Sequence, residues 1–321
     1  MGSSRNFRDP AAGLRIVDSS NLMDFALDEP VLLAVNVLEI LLLIAGCIIL
    51  HRWHLGSKSQ ILKFKRLDAW TISLSDFLTR ALFALLGGLS LQFLAQSLEQ
   101  RFRGSLDADV WLVVYNLAFQ LGLLGGVGMG IVYSKARGKN NALSNLPVSL
   151  ESLPTPVAPF QGGALASGLM AFLAALPLVA LSAWIWTTTL RAAGVNTRQQ
   201  ELVDMLARTD SPLLVSTMTT LAIVFAPIVE ELVFRAGVFR YLRSRLPGIS
   251  AYLVSAIFFS ALHANAAAFV PLVVFGVVLA FVYERTGRLT ICIFAHALFN
   301  LHTLVILLVS LKEQTPAAPL S

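Results

Sequence analysis

An all-α polytopic membrane bundle of about eight transmembrane helices is the fold class this sequence predicts, and three observations predict it. Of the 321 residues, 56% are hydrophobic and only 13% are charged, against roughly 25% charged in soluble domains. The apolar residues fall in long unbroken runs, whereas transmembrane β-barrels show alternating segments of about ten residues. Backbone amides in lipid must also find partners internally, which a helix achieves alone. Soluble, disordered and disulfide-scaffold classes are thereby excluded. Cys47 and Cys292 lie far apart in apolar runs and read as small buried hydrophobes.

The elements follow in order. The first 30 residues carry both charge signs and form no signal-peptide n-region. Val31–Leu50 exceeds the roughly 7–15 residues of a signal-peptide core, so it is expected as a retained first span. Myristoylation is not expected, because Asn6 stands where Ser or Thr is required. Ala81–Leu98 is a short second span with Arg80 expected to snorkel at its edge. Val110–Tyr133 and Gly162–Trp186 each cover a bilayer at about 1.5 Å per residue. Leu213–Val229 leads directly into Glu230-Glu231. Ile249–Tyr283 has no charge over 35 residues, enough for two spans, with His263-Ala264-Asn265 and Pro271 at the bend. Leu289–Leu311 closes the set.

Loop charge gives orientation. Basic loops are His51–Arg66, Ser134–Gln161, Arg240–Arg245 and Arg285–Arg288, and they alternate with mixed-sign Glu99–Asp109 and Arg191–Asp210. The net charge of +5 therefore reads as an orientation signal and not as a nucleic-acid signal. The alternation puts both termini on the non-cytoplasmic side. Ser134–Gln161 contains Pro147, Pro154, Pro156 and Pro159 and reads as a linker. It divides residues 1–161, an N-terminal part of about three spans plus the Pro-rich loop, from residues 162–321, whose core is 213–311. Thr197–Arg208 has the spacing of a short interfacial helix. No internal repeat is visible, which weakens a transporter reading.

Polar residues inside lipid need a reason, since a carboxylate at the bilayer centre costs about 2.5–3.5 kcal/mol on insertion scales. Glu230 and Glu231 follow seventeen uncharged residues, and no breaker precedes Pro247-Gly248, so their helix can run to about Arg245. Helical neighbours point about 100° apart, so the two carboxylates serve different faces. Glu231 and Arg235 stand at i,i+4 with the acid first, the better order for an ion pair. Glu230 is left without a local cation. His263 lies at a matching depth, and His296 and Asn300 share one face of the last span. His302 falls off that face and has no assigned role; His51 and His54 read as surface residues.

A carboxylate near a histidine is the equipment of a general base. A second histidine with an amide supplies donors for an oxyanion. The rival membrane proteases leave no trace: there is no His-Glu-x-x-His, no Gly-x-Ser-x-Gly, and no Asp within the long apolar runs. Glu230-Glu231-x-x-x-Arg235, Phe259-x-x-x-His263 and His296-x-x-x-Asn300, with Thr286-Gly287-x-Leu289 before the last, resemble the motifs of the CPBP family. That family comprises the CAAX proteases and bacteriocin-processing (Abi) enzymes, including the Rce1-type endopeptidases. The resemblance covers roughly Leu213–Leu311.

It implies an intramembrane endopeptidase of glutamic type. Glu230 and His263 would activate water, His296 and Asn300 would hold the oxyanion, and Glu231 and Arg235 would support the geometry. The expected substrate is a membrane-anchored peptide or protein, with no nucleic-acid partner and no cofactor, in a multi-pass protein of the cell (plasma) membrane. Two alternatives stay open: Zn²⁺ held by Glu230, His263 and His296, and a non-catalytic scaffold or immunity protein. Reporter fusions within Ser134–Gln161 and within Arg191–Asp210 should report opposite sides of the membrane. Fusions reporting the same side refute the count of spans.

Overall fold

The computed structural model describes residues 29–56, 67, 70, 72–102, 104, 106–137, 163–195 and 211–313. Among these there are eight helices and no strand, so the all-α bundle is borne out. They are α1 (Glu29–Gly56), α2 (Leu74–Arg101), α3 (Ala108–Ala136), α4 (Ala164–Ala192), α5 (Pro212–Arg243), α6 (Gly248–Ala261), α7 (Phe269–Thr286) and α8 (Leu289–Glu313). The proposed interfacial helix Thr197–Arg208, nearly all of the Pro-rich linker and most of the basic loop His51–Arg66 lie outside the described residues.

Local chemistry sets the ends. Ser73 caps α2 by accepting from the Asp76 amide at 3.1 Å. Ser211 accepts from the Leu214 amide ahead of Pro212, and a proline in the first helical turn wastes no donor. Gly287 closes α7 in the left-handed conformation at φ 63°. Seven helices are long and apolar enough to cross a membrane, while α6 spans only 14 residues. At about 1.5 Å per residue it rises roughly 21 Å, short of a hydrocarbon core of about 30 Å. It pairs with α7 as a hairpin. Arg243 at the end of α5 meets Glu284 near the end of α7 at 2.9 Å, and the Tyr252 hydroxyl of α6 donates to the same carboxylate. The hairpin therefore starts and finishes on one side.

The main core is shared by α4 to α8, with Phe239, Phe259, Phe275, Leu279, Tyr283 and Ile291 fully buried. Helix α1 crosses α4 at Gly46, whose position against the Leu173 carbonyl and Pro177 leaves no room for a Cβ. Leu173 is the residue four before Pro177, so its oxygen has lost its helical donor. Cys292 is buried, but Cys47 lies exposed on α1.

Helices α2 and α3 form a hairpin by another device. Lipid gives no hydrophobic drive between helices, so close backbone approach through small residues takes its place. Gly122, Gly126 and Gly130 repeat every four residues on α3. A Cβ at Gly122 would overlap the Gly87 carbonyl, and one at Gly126 would overlap the Phe83 carbonyl. Arg80 does not sit at a lipid edge as expected; it is buried beside Gly130, its Nε 3.4 Å from Ser134 Oγ. Because α2 begins at Leu74 and not near Ala81, Arg80 falls within the hairpin. Gly126→Leu should lower the melting temperature markedly in detergent, since overpacking typically costs about 1–3 kcal/mol. Gly125→Leu, which meets nothing within 4 Å, should leave it unchanged. Equal melting of the two variants would refute the close-packed seam.

Candidate active site

Helix α5 carries the two carboxylates and is not uniformly α-helical. Leu221–Phe225 and Leu232–Phe239 are π-helical, flanking the α-helical turn Ala226–Glu231. Pro227 gives the physical reason for the first widening. It has no amide hydrogen, and its ring crowds the carbonyl four residues back. The Ala226 amide accordingly bonds Leu221 O, five residues back. Neither that amide nor Pro227 then serves the Ala222 carbonyl. Asn300 does, donating from Nδ2 at 2.7 Å. Since a carbonyl only accepts, this contact also fixes which end of the amide faces α5.

Glu230 stands about 27 Å from Pro212 and about 20 Å from Arg243 at 1.5 Å per residue, well inside the bilayer. The two adjacent carboxylates part as the sequence expects. Glu231 is fully buried; its Oε2 meets Arg235 Nε at 3.1 Å and its Oε1 accepts from His296 Nδ1 at 2.8 Å. Arg235 is equally buried, with its guanidinium 4.5 Å over the Phe259 ring and Nη2 3.4 Å from Gly276 O. The sequence identified the Arg235 partner but not the His296 one, which no spacing within a single helix encodes.

Glu230 is partly open, with 26% of its side chain exposed. Its Oε2 lies 3.8 Å from His263 Nε2 and 3.8 Å from His296 Nε2. That oxygen is buried and has no hydrogen-bond partner on the protein. His263 sits on the turn 262–268 between α6 and α7, just past the helix end and not within a helix. Its Nδ1–H donates to the Phe259 carbonyl at 2.8 Å. Both rings thus spend Nδ1–H on an acceptor, leaving Nε2 turned toward Glu230. The structure brings Glu230, His263 and His296 together, with Glu231 and Arg235 directly behind. Asn300 is one turn beyond His296 on α8, held to Ala222.

Two features escaped the sequence reading. His302, given no role, lies with Nε2 2.6 Å from Glu39 Oε2 on α1. The signal was present, since Glu39 is an acid within the first apolar run. Trp186 on α4 donates from Nε1 to the Ala266 carbonyl at 2.7 Å, tying α4 to the turn that carries His263.

The residues suit a metal in donor type, because ligating imidazoles commonly donate their other N–H to a carboxylate or carbonyl. Their spacing does not. Tetrahedral zinc with bonds of about 2.0–2.1 Å sets ligand atoms roughly 3.3 Å apart, against the 3.8 Å here. No three His, Cys, Asp or Glu among the described residues are placed to hold a metal ion.

Comparison with known proteins addresses the same segment. Residues 212–302 match the family model described as type II CAAX prenyl endopeptidase Rce1-like. The chain is 33% identical over 86 residues to "Putative membrane peptidase YdiL" of Bacillus subtilis (strain 168). The aligned stretch covers 27% of this chain and 35% of that relative, so the chain spans about a third of the relative's length. No solved structure matches. The matched segment runs from the start of α5 into α8 and holds each of the three motifs; over that segment, this multi-pass membrane protein is similar to the Rce1-like CAAX prenyl endopeptidases.

Proposed function

We propose that the protein is an intramembrane endopeptidase in which Glu230 activates water against a peptide bond of a membrane-anchored substrate. The observation that carries this is the placement of Glu230 Oε2 at 3.8 Å from two Nε2 atoms whose rings are each pinned at Nδ1. A water among these three atoms has only two hydrogens to give, so one of the three groups must donate to it. His296 is the group placed to donate, because its ring is held at Nδ1 by the buried Glu231 carboxylate.

The reaction balances on these groups. Glu230 takes a proton from water as the oxygen attacks the scissile carbonyl carbon. The resulting oxyanion accepts from His296 Nε2–H and from the second amide hydrogen of Asn300. Glu230 then returns its proton to the departing amine as the C–N bond breaks. His263 holds the water through Nε2. Asn300 acts twice in this scheme, since its bond to Ala222 orients the amide that meets the oxyanion. The family description makes a prenylated C-terminal tail the first substrate class to try. Zinc remains the competing reading, favoured by the pinned Nδ1 atoms and opposed by the spacing.

The test uses purified protein in detergent with two quenched reporter peptides, one ending in a farnesylated Cys-aliphatic-aliphatic-X tail and one an unprenylated membrane-spanning peptide. Glu230→Gln should abolish cleavage with the melting temperature unchanged. Glu231→Gln should lose both activity and stability, because stranding one partner of a buried pair costs about 3–5 kcal/mol. His263→Ala should be nearly as damaging as Glu230→Gln, since such pairs act as a unit. Asn300→Ala should retain measurable turnover, reduced about 10²–10³-fold. Chelator should have no effect. Loss of activity with chelator and its return with zinc would replace the metal-free base. A wild type that cleaves neither peptide would favour the scaffold reading.

A further inference from the structure

We infer that Trp186, on α4 and outside the matched segment, is a positioning residue for His263. The inference rests on the proposed peptidase reading for its kinetic consequence, but not for its structural one. His263 belongs to neither helix of its hairpin. It stands on the turn 262–268, where Leu262 and its neighbours are largely exposed and little packing restrains the backbone. Non-helical backbone at membrane depth is tolerated where it is buried in protein or lines a watered cavity.

The turn is held by polar contacts. The His263 amide donates to Ser260 O at 3.1 Å, Asn265 Oδ1 accepts from the Ala268 amide at 3.0 Å, and Ser260 Oγ donates to Phe269 O at 2.7 Å. These all lie within the α6–α7 hairpin and fix its shape without fixing its place. Trp186 Nε1–H, donating to Ala266 O at 2.7 Å, joins the turn to a helix of the main core. Between that anchor and His263 sits Ala264 at φ 49°, the one non-glycine residue with positive φ among those described. Such a conformation is strained for a residue with a Cβ and persists where the surroundings over-determine it. Trp186 is one of those determinants. Releasing it lets Ala264 relax toward ordinary φ and swings His263 relative to Glu230. The Phe259 bond that keeps His263 in its Nδ1–H form is then strained, and free histidine favours the Nε2–H form.

The test compares Trp186→Phe, which keeps an aromatic ring and loses the N–H donor, with Trp184→Phe, the same change of side chain, as control. Trp184 is 67% exposed on the same helix. In protein carrying ¹³C,¹⁵N-histidine, the His263 signal is identified by its loss in His263→Gln. Trp186→Phe should move that signal from the Nδ1–H toward the Nε2–H tautomer, while Trp184→Phe should not. On the reporter peptide that the wild type cleaves, kcat should fall about 10–100-fold with KM within about twofold, since small misplacements of a catalytic group are costly. A wild-type His263 signal in Trp186→Phe overturns the inference, and so does a wild-type kcat. If the wild type cleaves neither reporter, the peptidase reading fails, and the His263 signal, which needs no substrate, decides the inference alone.

Discussion

The arrangement depends on one dry carboxylate. Glu231 is completely buried, with Arg235 in ion-pair contact at one oxygen and His296 hydrogen-bonded to the other. Removing charges from water costs several kcal/mol per ion, so a pair of this kind persists only with good geometry and satisfied neighbours. The neighbours come from three further helices. Arg235 is covered by Phe259 of α6 and reaches Gly276 O of α7, while His296 comes from α8. Four helices are therefore fixed to one another at a single ionic point. Glu230 inherits its position from that point.

The same point divides labour between adjacent, chemically identical groups. One peptide unit along α5, Glu230 has no cation to neutralise it and keeps an accessible flank. Two carboxylates with different surroundings take different roles, as the tuning of paired acids in hydrolases illustrates. Here the division follows from helical geometry alone, since consecutive side chains diverge by about 100°. The inward one organises the histidine that would meet the oxyanion. The outward one faces the space where a substrate carbonyl would come.

Much of this was legible in the sequence, for identifiable reasons. Apolar runs fix span positions because lipid demands continuous helices, and charges inside those runs stand out at once. The Glu231–Arg235 pair is readable because i,i+4 is a local relation. What was missed is either tertiary or a subtle consequence of local chemistry. The Glu231–His296 bond joins positions 65 apart, and the Trp186–Ala266 bond joins positions 80 apart. Pro227 was visible, yet its effect on the helix was not drawn from it. A proline in an apolar run frees carbonyls, and a polar side chain elsewhere must then serve them; Asn300 does so for Ala222. The shortness of α6 was not legible either, because an uncharged run of 35 residues does not reveal where its turn falls.

Helix α8 shows how polar side chains replace the hydrophobic effect in this setting. Apolar contact with lipid is nearly as good as apolar contact with a neighbour, so packing alone does not specify which helix lies beside which. Along α8, His296 is bonded to Glu231 of α5, Asn300 to Ala222 of α5, and His302 to Glu39 of α1. Each bond is directional, and each would leave an unsatisfied polar group in a low-dielectric environment if its partner moved away. Successive polar positions on one helix thus select the rotation of α5, its π-helical register and the docking of α1. The Glu39–His302 contact matters most for α1, whose span is otherwise only 6% buried. Together with its close approach to α4 at Gly46 and the packing of Leu42 and Leu43 on the core, this hydrogen bond sets α1 in a defined place. The chemistry proposed for Glu230 and the assembly of the bundle are served by the same kinds of side chain, and on α8 they are served by two different faces of one helix.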